Sequence, residues 1–274
     1  MGVDIESRRG CPARSVATPM PTEAPEEKRP AARQLQERLS AEYVAAHADV
    51  PATPPAGGDF YGVFPLKDGA GDESGDVAVV IGDVAGHGPE QAMQAGHMRA
   101  LLSDCLAVGL SPAETLSAVN AMIEPDPNFE GFGTVFVGTL EAHTGTLTYA
   151  SGGHEPALIA SPTTLDPDAV LELEGTGPPV GAFPPDMARF EQHQATLPEG
   201  GTLLLYTDGV SDARPPRSRL EWLGMDRLKA LLLRFASLPP RQLVTRLLAR
   251  VSAFCRGRFH DDVALLVVRR RARK

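Results

Sequence analysis

A chain of 274 residues, 42% of them hydrophobic, is long enough to bury one large core and still carry a tail. Its 35 acidic against 26 basic side chains leave a net charge of −9, which provides no electrostatic footprint for nucleic acid or an anionic membrane. No apolar stretch nears the roughly 20 residues that span a bilayer. Cys11, Cys105 and Cys255 are widely spaced with no CxxC pair, so reduced thiols in a cytoplasmic enzyme are expected rather than a disulfide framework or a zinc site.

Along the chain, residues 1–31 mix charges and prolines without the apolar run of a signal peptide, and read as a disordered tail. Residues 32–56 read as a short helix over 32–46, striped by Leu35, Leu39 and Tyr43, followed by a Pro-rich linker. That stripe would dock on the domain or pair with a partner or a second copy, as in a homodimer. Residues 57–270 form the main domain. Its first buried strand is the run at 77–81, which ends at Gly82 and Asp83. Two helices follow at 89–108 and 111–123, with Pro89 in a first turn and Ser111, Pro112 and Glu114 forming a capping box.

Strands are expected at 133–140 and 146–151 around a hairpin loop, then at 157–160, 171–173, 189–197 and 202–207. Helices at 225–236 and 240–254 precede a last strand at 263–269. The basic run Arg269, Arg270, Arg271, Arg273 and Lys274 reads as a solvated tail, because no aromatic residues interleave it. Strands in hairpins and helices in adjacent pairs predict an α+β sandwich of two sheets with helices outside, not a parallel βαβ sheet.

Four segments carry the chemistry: GGDFYG at 57–62, GDVAGHG at 82–88, YTDGVSDA at 206–213 and HDDVALLV at 260–267. Each sets an Asp at a strand end or in a Gly-rich turn, where a missing Cβ lets a carboxylate approach a hard cation. A single such segment is ordinary turn chemistry. The histidines His87, His97, His154 and His260 have no HxxxH or HExxH spacing, and structural roles, such as shaping Gly-rich turns, are expected of them. Ser151 and Ser211 lack a GxSxG elbow, which disfavours a covalent mechanism, and Thr207 reads as a strand-end hydroxyl bonding the metal loop.

In this order, and with FGTVFVGTLEAHTGTLTYASGGHEPALI at 132–159, GPPVGAF at 177–183 and LPEGGTLLLYTDGVSDAR at 197–214 between them, the segments resemble the PP2C-like serine/threonine phosphatases of the SpoIIE/RsbU branch. The resemblance implies an αββα sandwich of two mostly antiparallel sheets flanked by helix pairs. It also implies two Mn²⁺ or Mg²⁺ ions held by Asp59, Asp83, the carbonyl of Val84, Asp208 and Asp261, with Asp262 open to share the last role. A metal pair about 3.5–4 Å apart would generate a bound hydroxide and neutralise the phosphoryl oxygens.

The implied substrate is phosphoserine or phosphothreonine on a regulatory protein of the anti-anti-sigma kind, in bacterial partner-switching or stress signalling. A catalytically silent binding module of the same fold, or a two-metal hydrolase of a small phosphoester, are the alternatives. Gly62 departs from the family pattern, where many relatives carry an acid, and no arginine near the first motif offers a phosphate clamp.

Overall fold

The computed structural model describes residues 41–48, 57–67, 73–163, 166–216 and 220–271. The expected disordered tail at 1–31, Leu35 and Leu39 of the helical stripe, and the linker at 49–56 lie outside the described residues. Two five-stranded sheets are built from strands that pair antiparallel throughout. One sheet runs β1 (Ala41–Ala48), β10 (Val263–Arg270), β9 (Thr202–Tyr206), β6 (Ala157–Ala160), β7 (Leu171–Leu173). The other runs β2 (Gly57–Lys67), β3 (Glu73–His87), β4 (Gly133–Leu140), β5 (Thr146–Gly152), β8 (His193–Thr196). The helices are α1 (Pro89–Ala107), α2 (Pro112–Ile123), a single turn α3 (Asp208–Ser211), α4 (Gly224–Phe235) and α5 (Pro240–Phe254).

The period-two pleat decides which residues meet which layer. In the second sheet Ala78, Val80, Val135 and Val137 pack with Met98, Leu102, Leu116 and Val119 of α1 and α2. In the first, Leu204, Tyr206, Leu265 and Val267 pack with Leu228, Leu232, Leu243 and Leu247 of α4 and α5. The alternate positions, Val79, Ile81 and Phe136 on one sheet and Leu203, Leu205, Leu266 and Val268 on the other, are also buried. Strands covered on both faces must be apolar at successive residues, which is why 77–81 and 263–268 read as unbroken hydrophobic runs. The layering is the expected αββα sandwich. Among the described residues no helix is long and apolar enough to cross a membrane.

The capping box is present: the Ser111 amide and hydroxyl both reach Glu114 Oε2, at 2.9 and 2.7 Å. The hairpin loop at 141–145 joins β4 to β5 as expected. The loop at 177–183 is tied to α2 by the fully buried Asn120, whose amide accepts from the Gly181 N–H (2.8 Å) and donates to the Phe183 carbonyl (3.1 Å).

Three expectations change. The helix expected over 32–46 gives way, from residue 41 onward, to strand β1, with Tyr43 opposite Val268. Its segment AEYVAAHA contains β-favouring Tyr and Val, and pairing it with β10 covers an apolar strand edge that would otherwise be open. The strand expected at 189–197 is confined to His193–Thr196. The basic run is no solvated tail at its first two positions. Arg269 donates to the Ala236 and Leu238 carbonyls and to Thr202 Oγ1. Arg270, 8% exposed, donates to the carbonyls of Leu197 (3.1 Å) and His143 (2.7 Å), so it joins the first sheet to the end of β8 and to the β4–β5 loop of the second.

Candidate metal centre

Both sheets deliver acids to one end of the sandwich. In the second sheet β2 and β3 are longer than the apolar runs suggest, so Asp59 and Asp83 lie within paired strands, directly opposite each other. Like charges in a cross-strand pair are unfavourable. In the first sheet Asp208 opens α3 just after β9, while Asp261 and Asp262 immediately precede β10. The Asp262 amide donates to Asp261 Oδ1 (2.9 Å), a local bond at the bend that leads into the strand. Thr207, fully buried, ties the two sources together. Its hydroxyl donates to Asp59 Oδ2 (2.8 Å) and accepts from the Ala264 amide (2.9 Å).

Glycines make the close approach feasible. A Cβ on Gly58 would overlap the Val84 carbonyl oxygen and stand 2.5 Å from Asp83 Oδ1. One on Gly57 would run into the Asp262 carboxylate, and one on Gly209 into the Asp262 carbonyl. Gly86 and Gly88, at φ of 110° and 111°, let the chain leave β3 and enter α1 in a conformation other residues resist.

The electrostatics follow from this crowding. Burial, then Asp83, pushes the Asp59 carboxyl up to about 8, with Asp262 and Asp208 adding to the effect and the Thr207 hydrogen bond opposing it. Asp83 is pushed up to about 7 by burial and by Asp208, Asp261 and Asp262. Asp208 is raised by burial, then by Asp261 and Asp212, against a hydrogen bond from the Gly209 amide. Among the described residues, the charges that act on these three acids are other carboxylates. Such an all-oxygen, mutually repelling donor set suits hard divalent cations, which take oxygen ligands and keep several waters. Among the described residues no group of three or more His, Cys, Asp or Glu side chains converges closely enough to hold a metal ion. The arrangement is an open ring of acids, with the Val84 carbonyl beside Asp83.

All the acids singled out from the sequence therefore meet: Asp59, Asp83, Asp208 and Asp261, with the Val84 carbonyl at Gly58. Asp262 is a full member, acting on Asp59 and Asp83, whereas the exposed Asp261 acts on Asp83 and Asp208. Sequence reasoning missed Glu155, raised by burial and by Asp208 and Asp212 and accepting a hydrogen bond from Ser211 (3.3 Å). The only sequence signal for Glu155 was its place in SGGHEPA. Of the histidines, His97 and His260 are exposed, the His87 side chain lies outside the described residues, and His154 is deeply buried. His154 does more than shape its turn. Its Nδ1 meets Thr134 Oγ1 (2.9 Å) and its Nε2 the Tyr206 carbonyl (3.1 Å), while burial pushes its pKa down to about 4.

Residues 73–271 match the family described as Stage II sporulation protein E. Phosphoserine phosphatase RsbU of Bacillus subtilis is 25% identical over 215 residues, covering 78% of this chain and 59% of that protein. A solved structure of the RsbU and RsbW domains of a Mycobacterium tuberculosis protein superposes at a TM-score of 0.68 and 28% identity, covering 85% of this chain and 61% of that one. The SiaA PP2C domain of Pseudomonas aeruginosa superposes at 0.70 and 19% identity, covering 88% and 89%, and shows the shared fold. The chain thus spans about six-tenths of RsbU and of the mycobacterial chain.

Proposed function

Because the chain belongs to the family of Stage II sporulation protein E, we propose that it is a metal-dependent protein phosphatase acting on phosphoserine or phosphothreonine of a regulatory protein. The proposal includes a substrate of the anti-anti-sigma kind in a partner-switching pathway, and two Mn²⁺ or Mg²⁺ ions. It takes residues 57–270 with the edge strand β1 as the phosphatase unit. The observation that carries the reading is that acids from two different sheets act on one another at one end of the sandwich, each raising its neighbours, with Thr207 bonded to Asp59.

In this reading Asp59, Asp83, the Val84 carbonyl, Asp208 and Asp261 hold the cations, with Asp262 beside Gly57 sharing the load. Bound divalent ions would supply Lewis-acid activation of water and neutralise charge on the phosphoryl oxygens. The chain's own residues supply position. Thr207 fixes the rotamer of Asp59, the glycines leave room for ligands and solvent, and the strand pair holds Asp83 rigid. Ser151 is fully buried, and the Ser211 hydroxyl is engaged with Glu155 and the Asp208 carbonyl, so neither presents a free nucleophile and attack falls to water.

The test is phosphate release from a panel of phosphoserine proteins and nucleotides, with Mn²⁺ and with excess EDTA. The reading expects release from phosphoprotein that stops in EDTA. Turnover undiminished by exhaustive chelation would sink the metal assignment. A preference for nucleotide over every phosphoprotein would replace the protein substrate with a small phosphoester, and no turnover of either would favour a silent binding module.

A further inference from the structure

The turn that carries His154 is the point where the chain leaves β5 of the second sheet and enters β6 of the first. The imidazole at this crossover touches both sheets at the positions next to the acids. Thr134, which meets Nδ1, sits on β4 directly opposite Asp83. Tyr206, whose carbonyl meets Nε2, is the last residue of β9, joined through one peptide to Thr207 and two residues before Asp208. A carbonyl only accepts, so Nε2 carries the proton and Nδ1 accepts from the Thr134 hydroxyl. The ring is 6% exposed, and water cannot readily substitute for these two bonds.

These contacts close a circuit. Asp59 faces Asp83 across the β2–β3 ladder, and Asp83 faces Thr134 across the β3–β4 ladder. Thr134 bonds His154, His154 bonds the Tyr206 carbonyl, and Thr207 returns to Asp59. With all links in place, the acids of the second sheet cannot drift away from Asp208. Without the His154 link, Thr207 would be the one polar tie of the circuit left between the sheets, and mutual repulsion of the acids would act against it.

We propose that His154 is a positioning residue, holding the Asp83 strand and the Asp208 strand end at a fixed separation so that both halves of the ring grip the same cations. It touches no cation or substrate itself. The inference rests on the metal-centre reading above, and its test keeps the two apart.

The experiment measures Mn²⁺ binding to the full chain by titration calorimetry, with melting temperature and amide hydrogen exchange at residues 83–85 and 207–209. His154→Leu removes both ring bonds, and His154→Gln restores one donor and one acceptor. The expected result is Mn²⁺ affinity at least tenfold weaker in His154→Leu and substantially recovered in His154→Gln. Exchange should be faster in His154→Leu at both segments. A purely structural histidine would lower the melting temperature while the folded protein kept wild-type Mn²⁺ affinity and wild-type exchange at the two segments, and that result would overturn the proposal.

Should His154→Leu fail to fold, Thr134→Val removes a single hydroxyl and leaves the ring in place. A threefold or greater loss of affinity then supports the tie, and wild-type affinity refutes it. If the wild-type protein itself bound no Mn²⁺, the metal reading would fall, and the exchange data alone would decide whether His154 couples the two sheets.

Discussion

The β2–β3 pair and the junctions at β9 and β10 deliver acids to the same ring under different physical conditions. Asp59 and Asp83 sit inside a hydrogen-bonded ladder, half-buried and opposite each other, where neither can move without breaking strand pairing. Asp208 opens a single helical turn and Asp261 and Asp262 lie on the bend before β10, so these acids stand outside any strand ladder, Asp261 exposed and the other two half-buried. Rigid acids placed against their own repulsion and adjustable acids placed near them form a clamp with one fixed jaw. The fixed jaw stores unfavourable electrostatics that only a bound cation or a proton relieves.

The largest expected effect tests both jaws at once. Asp83→Asn and Asp208→Asn should each lower phosphate release with Mn²⁺ by on the order of 10² or more, because each removes a charge that holds the ions. A folded Asp208→Asn variant with near wild-type kcat/KM would remove Asp208 from the ring. Next is Gly58→Ala, which places a methyl against Asp83 Oδ1 and the Val84 carbonyl. It should abolish most activity and cost roughly 1–3 kcal/mol of stability by overpacking, measured by denaturant unfolding. An equivalent Gly96→Ala change on α1, where nothing lies within 4 Å of the added carbon, is the control.

Thr207→Val keeps the shape but removes the bond that orients Asp59, and leaves the Ala264 amide without its acceptor. About a tenfold loss of activity with a stability cost of roughly 1–3 kcal/mol is expected, read from kcat/KM and urea unfolding.

The smallest effect separates the jaws directly. Asp59 has its pKa raised from 3.8 to about 8 in the folded protein, so the folded state binds more protons than the unfolded state between those values. Stability from this group is therefore fully present below the ordinary value and is lost as pH rises through about 8. Asn mimics the protonated acid. In EDTA, Asp59→Asn should exceed the wild-type melting temperature by a margin that grows steadily as pH rises from 5 to 8. Asp261→Asn, at an exposed bend, should change it little. Equal shifts for the two variants at pH 8 would erase the distinction between the fixed and the adjustable jaw.

The sequence by itself determined the layering and most of the site. Unbroken apolar runs at 77–81 and 263–268, short and rich in Val, read as strands covered on both sides, and the Ser111–Glu114 box marks a helix start through local hydrogen bonds. Asp with adjacent Gly at 58–59, 82–83 and 208–209, and the Asp pair at the start of the last apolar run, singled out the acids from local sequence alone.

What local pattern cannot carry is partnership across the chain. Residues 41–48 became a strand because β10 offered an open edge, Arg269 and Arg270 became internal donors because loop carbonyls converge on them, and His154 became a tie between sheets. Asp59 and Asp83 read as residues of a Gly-rich turn or a strand end and proved to be a facing pair within a ladder, since register between strands belongs to the folded pair and to neither segment alone. Short-range chemistry is written residue by residue, whereas the separation of acids 24 and 125 positions apart, Asp59 from Asp83 and Asp83 from Asp208, exists only once two sheets have packed.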